Sequence, residues 1–166
     1  MKIRNGFVSN SSSSSFCLIG IELDYINTEE ILDKLNHWGK DTLGHTLDII
    51  FTDVDDDSLT ATMPVVPKVH QPYGILHGGA SVALAETLGS CLSVLHVDVE
   101  KFAPVGTNIN SNHLRAKREG MVTGKATFIR KGNTLHVSQI EIRDEKGHLI
   151  NHTTMTNNIV PHSKLQ

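Results

Sequence analysis

The feature that most constrains this 166-residue chain is a long apolar segment, 78–97, in which Glu86 is the only Asp, Glu, Lys or Arg. Its length approaches the roughly 20 apolar residues that a helix needs to span a bilayer. A carboxylate at the centre of such a span costs about 2.5–3.5 kcal/mol on insertion, and Thr87, Gly89 and Ser90 also interrupt the apolar run. We therefore predict a buried helix of a soluble protein and no membrane partner.

The first 20 residues differ in composition from the rest of the chain. They contain an unbroken run of serines, Ser11 to Ser15, which cannot bury enough apolar surface to offset the entropy of ordering. We predict a separate, disordered arm over residues 1–20 and one folded domain over residues 21–166. The length of that domain suits a single hydrophobic core.

The N-terminal sequence and the cysteines indicate the cellular compartment of the protein. Lys2 and Arg4 are not followed by the continuous apolar segment that a secretory signal requires. The two cysteines, Cys17 and Cys91, make no convincing disulfide or metal framework. These observations favour the reducing cytoplasm.

The remaining pattern predicts an α+β fold. Asn27 followed by Glu30 is typical of a helix N-cap, and this helix should end near Gly39. Pro64, Pro67 and Pro72 predict an irregular connection before the long helix. Alternating and β-branched residues predict strands over 46–52, 58–63, 108–115, 121–130, 134–143 and 149–160. The first two would form a hairpin around an acidic turn and the last four an antiparallel meander, with one central helix covered by the sheet.

Glu86 requires an explanation because an ionised carboxylate is rarely buried without a partner. One interpretation is a glutamate on the solvent-exposed face of the helix. The other is a carboxylate that takes part in a reaction. Ser90 lies four residues later, and therefore on the same helical face, where its hydroxyl could orient the carboxylate or a water.

The entry to the long helix reads His77-Gly78-Gly79. The first backbone N–H groups of a helix have no internal partner and lie at the positive end of its dipole. Glycine lets a substrate carbonyl approach such a donor closely, and a donor aimed at a developing oxyanion contributes roughly 3–4 kcal/mol. A donor of this kind and a carboxylate about two turns later are suited to acyl transfer.

Three segments, 71–86, 110–120 and 139–144, together resemble the acyl-CoA thioesterases of the hot-dog superfamily, and the similarity runs from about residue 38 to residue 160. It is closest to the branch that contains 1,4-dihydroxy-2-naphthoyl-CoA thioesterase of menaquinone biosynthesis, the enterobactin proofreading thioesterase and the Arthrobacter-type 4-hydroxybenzoyl-CoA thioesterase. The resemblance implies a long helix wrapped by an antiparallel sheet. It also implies dimers, commonly assembled into tetramers, whose active sites lie at the subunit interface.

The same resemblance implies roles for individual residues. Glu86 would be the nucleophile or the general base, and the backbone N–H of Gly78, from the partner subunit, would polarise the thioester carbonyl. Gln71, His77 and Ser90 would position substrate and water. The substrate would be an aryl-CoA such as 1,4-dihydroxy-2-naphthoyl-CoA or a benzoyl-CoA, hydrolysed without a cofactor.

A basic region is the candidate coenzyme A site. By the resemblance, His113 and the basic residues after it contact coenzyme A, and Arg and Lys are the usual partners of phosphate. The alternative is a merely solvated face. The candidates are His113, Arg115, Lys117 and Arg118, with Lys131 and Asn133 in a later turn.

Other functional classes have less support. The net charge of −3 provides no general attraction for nucleic acid, and the ten histidines are scattered without metal-ligand spacing. Two alternatives stay open. A hot-dog enoyl-thioester hydratase or dehydratase normally has a His-Phe-Pro-like helix entry, which this chain lacks. A non-catalytic acyl-CoA-binding module would use Glu86 only as a structural polar group.

Overall fold

The computed structural model describes residues 27–165, so the predicted N-terminal arm lies outside the described residues. Three helices and eight strands follow one another along the chain. They are α1 (Thr28–Trp38), α2 (Leu43–Thr46), β1 (Ile50–Val54), β2 (Ser58–Val65), β3 (His70–Gln71), β4 (Ile75–Leu76), α3 (Gly78–Val94), β5 (Phe102–His113), β6 (Gly120–Lys131), β7 (Leu135–Asp144) and β8 (Leu149–Pro161).

Six strands form one antiparallel sheet in the order β1-β2-β6-β7-β8-β5. The predicted meander of four strands is confirmed for β6, β7 and β8 and was wrong for β5. Strand β5 does not pair with β6, its successor in the chain, but pairs with β8 and forms an edge of the sheet. The two short strands β3 and β4 form a separate hairpin directly before α3.

Helix α3 packs across the sheet through its apolar face. Leu84, Leu88 and Leu92 are fully buried, and burial of such a side chain contributes about 1.5–3 kcal/mol. The helix approaches the sheet closely at Gly124, where a Cβ would lie 2.6 Å from Leu88 Cδ1. A long helix covered by an antiparallel sheet confirms the predicted α+β hot-dog fold.

Several element boundaries differ from the prediction. The N-cap of α1 is confirmed, since Asn27 Oδ1 accepts from the Glu30 N–H at 2.8 Å. The first strand begins at Ile50 and not at residue 46, because α2 and a left-handed residue, Asp48 (φ 53°), precede it. Strand β5 begins at Phe102, six residues before the predicted strand.

The predicted irregular connection was wrong at Pro64, which lies within β2 opposite Met121 of β6. Proline removes a ladder donor and is tolerated where a strand has an open side. Pairing between β1 and β2 ends at Thr62, so the side of Pro64 that faces away from β6 has no neighbouring strand. The sheet therefore accepts this proline without losing a hydrogen bond.

His136, at the start of β7, is a buried histidine away from the helix entry. It is only 3% exposed, and its Nδ1 atom has no hydrogen-bond partner. Burial, together with smaller contributions from the nearby His96 and Lys131, lowers the pKa of His136 to about 4. The fold therefore holds this imidazole in the neutral form.

Within residues 27–165, no helix has the length and apolar character needed to cross a membrane.

Candidate active site

The entry to α3 presents one unoccupied backbone donor. His77 is the N-cap, and its Nδ1 accepts from the Gly79 N–H at 2.8 Å. The Ala80 N–H donates to the His77 carbonyl at 3.0 Å. Among residues 27–165, the Gly78 N–H has no acceptor, so it remains available to a ligand at the positive end of the helix dipole.

The cap also determines where His77 carries its proton. Because a backbone N–H donates to Nδ1, that nitrogen is the acceptor and the ring proton is on Nε2. The His77 N–H itself donates to the Val69 carbonyl at 2.8 Å, which fixes the cap against the preceding segment. His77 is thus a helix cap whose Nε2–H remains a donor.

Gln71 lies on the hairpin that leads into the helix. Its Oε1 accepts from the Tyr73 N–H at 3.0 Å, and its carbonyl accepts from the Gly74 N–H at 2.9 Å. Gly74 has a φ of +67°, a conformation that favours glycine. With its oxygen held in the turn, the Gln71 side chain retains its amide N–H groups as donors.

Glu86 is exposed in the single chain. It projects from the side of α3 away from the buried leucines, and its Oε1 lies 3.7 Å from the position that a Cβ on Gly106 of β5 would occupy. Among the described residues it makes no ion pair or hydrogen bond. Ser90, one turn later, is half-buried and forms no hydrogen bond with it. The apolar neighbours of Glu86 in the sequence therefore do not bury it.

Gly78 and Glu86 are well separated within one chain. Glu86 follows Gly78 by eight positions along α3, which corresponds to a rise of about 12 Å at roughly 1.5 Å per residue. A thioester carbonyl is too small to contact both groups at once. One reaction centre that uses both must therefore take them from two copies of the chain.

The structure brings His113, at the end of β5, directly against Gly78. A Cβ on Gly78 would lie 2.7 Å from His113 Nε2. The imidazole therefore occupies the space that a side chain at residue 78 would need, and only glycine fits there without moving it. On its other side, His113 Nδ1 lies 3.0 Å from Asn151 Nδ2. The resemblance implies that His113 contacts coenzyme A, and the structure places this residue at the helix entry.

The polar residues behind His113 were missed by the sequence reasoning. Asn151 and Thr153 of β8 are fully buried and contact Ser111 of β5. In a strand, residues two apart point to the same face. Asn151 and Thr153 share a face with the buried Met155, so this alternation could have identified them as inward-facing polar groups.

Three of the basic candidates lie near the hairpin and the helix entry. The Lys117 carbonyl accepts from the Leu76 N–H at 2.7 Å, and Arg118 Nη1 approaches the Tyr73 carbonyl at 3.4 Å. The Lys117 ammonium forms an ion pair with Glu145, and this hydrogen bond is the main cause that lowers the Glu145 pKa to about 2. Arg115 is exposed and makes no ion pair within residues 27–165.

Lys131 and Asn133 do not join that group within one chain. They lie at and just beyond the opposite end of β6, a strand of 12 residues and therefore about 35–40 Å long. Lys131 forms an ion pair with Asp57 at 2.9 Å and lies 5.5 Å from the Phe128 ring centroid. The predicted basic set thus separates into two regions.

Two other chemistries have little support in the described part of the chain. No group of three His, Cys, Asp or Glu side chains among residues 27–165 is arranged to hold a metal ion. Burial raises the pKa of the Cys91 thiol to about 12, and a protonated thiol is a poor nucleophile. Cys91 is therefore a poor candidate for the nucleophile of this site.

Comparison with known proteins gives a consistent result. Residues 73–151 match a model of the thioesterase superfamily. The chain is 45% identical over 129 residues to the 1,4-dihydroxy-2-naphthoyl-CoA hydrolase of Escherichia coli, a match that covers 78% of this chain and 94% of the relative. It is 43% identical over 116 residues to the proofreading thioesterase EntH of Cronobacter sakazakii, covering 70% of this chain and 84% of the relative.

Solved structures agree with these relatives. A crystal structure of a mutant thioesterase from Pseudomonas aeruginosa matches with a TM-score of 0.77 and 45% identity, covering 78% of this chain and 94% of the other. A thioesterase from Haemophilus influenzae also matches with a TM-score of 0.77, at 39% identity, covering 81% of this chain and 94% of the other.

Proposed function

Because this chain belongs to the thioesterase superfamily and is a thioester hydrolase, we propose that it hydrolyses an aryl-CoA such as 1,4-dihydroxy-2-naphthoyl-CoA or a benzoyl-CoA. The relative named as 1,4-dihydroxy-2-naphthoyl-CoA hydrolase, at 45% identity over most of both chains, supports this substrate class. A role in menaquinone biosynthesis would follow from the first of these substrates.

The unoccupied Gly78 N–H carries the proposal. The amides of Gly79 and Ala80 are both engaged by His77, which leaves one donor at the helix entry for the acyl oxygen. As the carbonyl carbon becomes tetrahedral, its oxygen gains negative charge, and a preorganised donor stabilises that charge more than it stabilises the ground state. Gly78 thereby polarises the thioester without a cofactor.

Glu86 supplies the second half of the reaction. Its carboxylate either attacks the acyl carbon, forming a mixed anhydride that water then hydrolyses, or removes a proton from a water that attacks directly. In both routes the carbon–sulfur bond breaks, coenzyme A leaves as the thiol after it gains a proton, and the acid is released. Ser90 on the Glu86 side and the donors of Gln71 and His77 on the Gly78 side position water and substrate.

A dimer is the proposed catalytic unit, because Gly78 and Glu86 of one chain are too far apart to act on one carbonyl. Strand β5 forms an edge of the sheet, and an unpaired edge is a ready surface for another chain. Glu86 lies beside this strand at Gly106. Pairing of two copies along β5 would therefore bring each Glu86 to the interface; such dimers could assemble further into tetramers.

The proposed coenzyme A contact is the basic region beside the helix entry. Arg115 is exposed and unpaired within residues 27–165, so it is the member best able to bind a phosphate, while Lys117 is engaged by Glu145 and Arg118 by the Tyr73 carbonyl. Lys131 and Asn133 could contribute only from another copy of the chain.

The test is release of free thiol from 1,4-dihydroxy-2-naphthoyl-CoA, benzoyl-CoA, phenylacetyl-CoA and a medium-chain acyl-CoA. Glu86→Gln keeps the size of the side chain and removes its basicity, so kcat should fall by about 10²–10⁴-fold. Glu100→Gln, at another exposed glutamate, is the matched control and should retain full activity. Unchanged turnover in Glu86→Gln would refute the role of Glu86.

The alternatives have distinct outcomes in the same experiment. Loss of enoyl absorbance from an enoyl-CoA without thiol release would support a hydratase. Tight binding of acyl-CoA by the wild-type protein without any turnover would support a binding module.

A further inference from the structure

A closed polar cluster lies behind His113, formed by Ser111, Asn151 and Thr153. Asn151 Nδ2 donates to Ser111 Oγ at 2.7 Å and lies 3.0 Å from His113 Nδ1. Thr153 Oγ1 lies 2.8 Å from both Ser111 Oγ and Asn151 Oδ1. Asn151 and Thr153 are fully buried, so their polar atoms depend on partners within this cluster.

The positions of the protons in this cluster follow from its geometry. A carboxamide oxygen only accepts, so the single Thr153 hydroxyl proton goes to Asn151 Oδ1, and Ser111 donates to Thr153 Oγ1. Both N–H groups of Asn151 are then used, one by Ser111 and one by His113. Rotating the carboxamide by 180° would leave one buried N–H unpaired, at a cost of about 1–3 kcal/mol.

The orientation of Asn151 in turn determines the tautomer of His113. Since Asn151 Nδ2 can only donate, His113 Nδ1 is an acceptor and the ring proton is on Nε2. That nitrogen faces Gly78, within 2.7 Å of the position of a Cβ on that residue. The helix entry therefore presents two donors from adjoining residues, the unoccupied Gly78 N–H and the His113 Nε2–H.

We infer that Asn151 is a positioning residue of the thioester site: it holds His113 in the Nε2–H form, so that this N–H joins the Gly78 N–H in binding the acyl oxygen. The inference rests on the proposed function, which places the thioester carbonyl at Gly78. Asn151 itself touches no substrate, and its effect on the reaction passes entirely through His113.

The direct test is the tautomer of His113, read from side-chain ¹⁵N chemical shifts of protein labelled at histidine and assigned with His113→Gln. In the wild type, Nε2 should carry the proton. In Asn151→Asp the carboxylate can only accept, so Nδ1 becomes protonated. In Asn151→Leu, which keeps the size but removes the donor, both tautomers should be populated. A wild-type ring protonated at Nδ1 would overturn the inference.

Thr153→Val is the matched control. It removes a hydrogen bond from the same buried cluster but leaves both N–H groups of Asn151 in place, so His113 should remain in the Nε2–H form. A general disturbance of packing would affect this variant as much as the Asn151 variants. A changed tautomer in Thr153→Val would therefore also contradict the inference.

Kinetics connect the tautomer to the reaction. In alkaline buffer, kcat of Asn151→Asp should fall by about tenfold or more, with little change in KM, because loss of an oxyanion donor acts mainly on the transition state. A reversed tautomer with unchanged kcat would refute the contribution of His113. Failure of the wild type to hydrolyse any thioester would refute the proposed function instead, while the spectra would still decide whether Asn151 sets the tautomer.

Discussion

Replacing Gly78 with alanine tests the proposed site without removing either of its key groups. The variant keeps the backbone N–H at residue 78 and leaves Glu86 unchanged. A Cβ at this position would, however, lie 2.7 Å from His113 Nε2 and 2.9 Å from His113 Cε1. Since real Cβ atoms are essentially never closer than 3.0 Å to such atoms, the imidazole has to move away from the helix entry.

The expected effect on stability is a moderate loss. Alanine is more favourable than glycine inside a helix by up to about 1 kcal/mol, and displacing the exposed His113 ring from its rotamer costs about 0.5–1.5 kcal/mol, so these two effects nearly cancel. Moving the ring also leaves a buried Asn151 N–H without its His113 acceptor. The free energy of unfolding should therefore decrease by about 1–3 kcal/mol.

The expected effect on activity is large. The new methyl group narrows the approach to the Gly78 N–H, and the His113 Nε2–H is displaced from its place beside it. Loss of a single oxyanion donor costs about 10²–10³ in kcat, and Gly78→Ala should show a loss in this range. Thiol release and denaturant unfolding, measured on the same preparation, separate the two effects.

Gly44→Ala is the control, since Gly44 also lies in a helix but its Cβ would come no closer than 3.6 Å to any side chain. It should retain full activity. Wild-type kcat in Gly78→Ala would refute the reasoning, because neither the open face of Gly78 nor the placement of His113 would then matter. Loss of activity together with unfolding would show that the methyl group acts on the fold and not on the site.

Three further predictions test the assembly, the coenzyme A contact and the acid stability. Mixing Glu86→Gln with Gly78→Ala subunits should restore about a quarter of wild-type activity, since half of the dimers are mixed and each has one intact site; no recovery would place both groups in one chain. Arg115→Ala should raise KM for acyl-CoA about three- to tenfold, and an increase in KM for Lys131→Ala would show that Lys131 contributes from another copy of the chain. The folded pKa of His136, about 4, lies below its ordinary value of 6.5, so the unfolded state binds more protons between these values. As pH falls from 6.5 to 4, the free energy of unfolding should therefore decrease by on the order of 3 kcal/mol, and His136→Leu should lose this slope in chemical denaturation.

Local signals predicted most of the fold. The Asn27 cap, the apolar run of α3 and the alternation in β6, β7 and β8 each depend on neighbours within a few residues, and each was confirmed. The pairing of β5 with β8 could not be read in this way, because it depends on which distant strand lies alongside. The alternation of apolar and polar residues along β5 would be the same whether β5 paired with β6 or with β8.

The site could likewise be predicted only where it depends on residues close together in sequence. The cap at His77 and the unoccupied donor of Gly78 follow from the rules for helix termini, but the contact between His113 and Gly78 joins the end of one strand to the start of a helix 35 residues away in sequence. The Asn151 network depends on that contact and so was also missed. Spacing alone likewise grouped Lys131 with Arg115, although a full strand separates them.

Glu86 shows why an apolar sequence does not imply burial within one chain. Helix α3 is apolar on nearly all sides, yet the sheet of its own chain covers only the face of Leu84, Leu88 and Leu92. The opposite face carries Glu86 and the half-buried Ser90. An apolar helix whose second face is exposed to solvent needs another protein surface to bury that face. A second copy placed along β5 would provide that covering and would bring Glu86 toward the Gly78 of its neighbour. The same apolar character that predicts a buried helix thus supports a dimer as the unit that carries out the reaction.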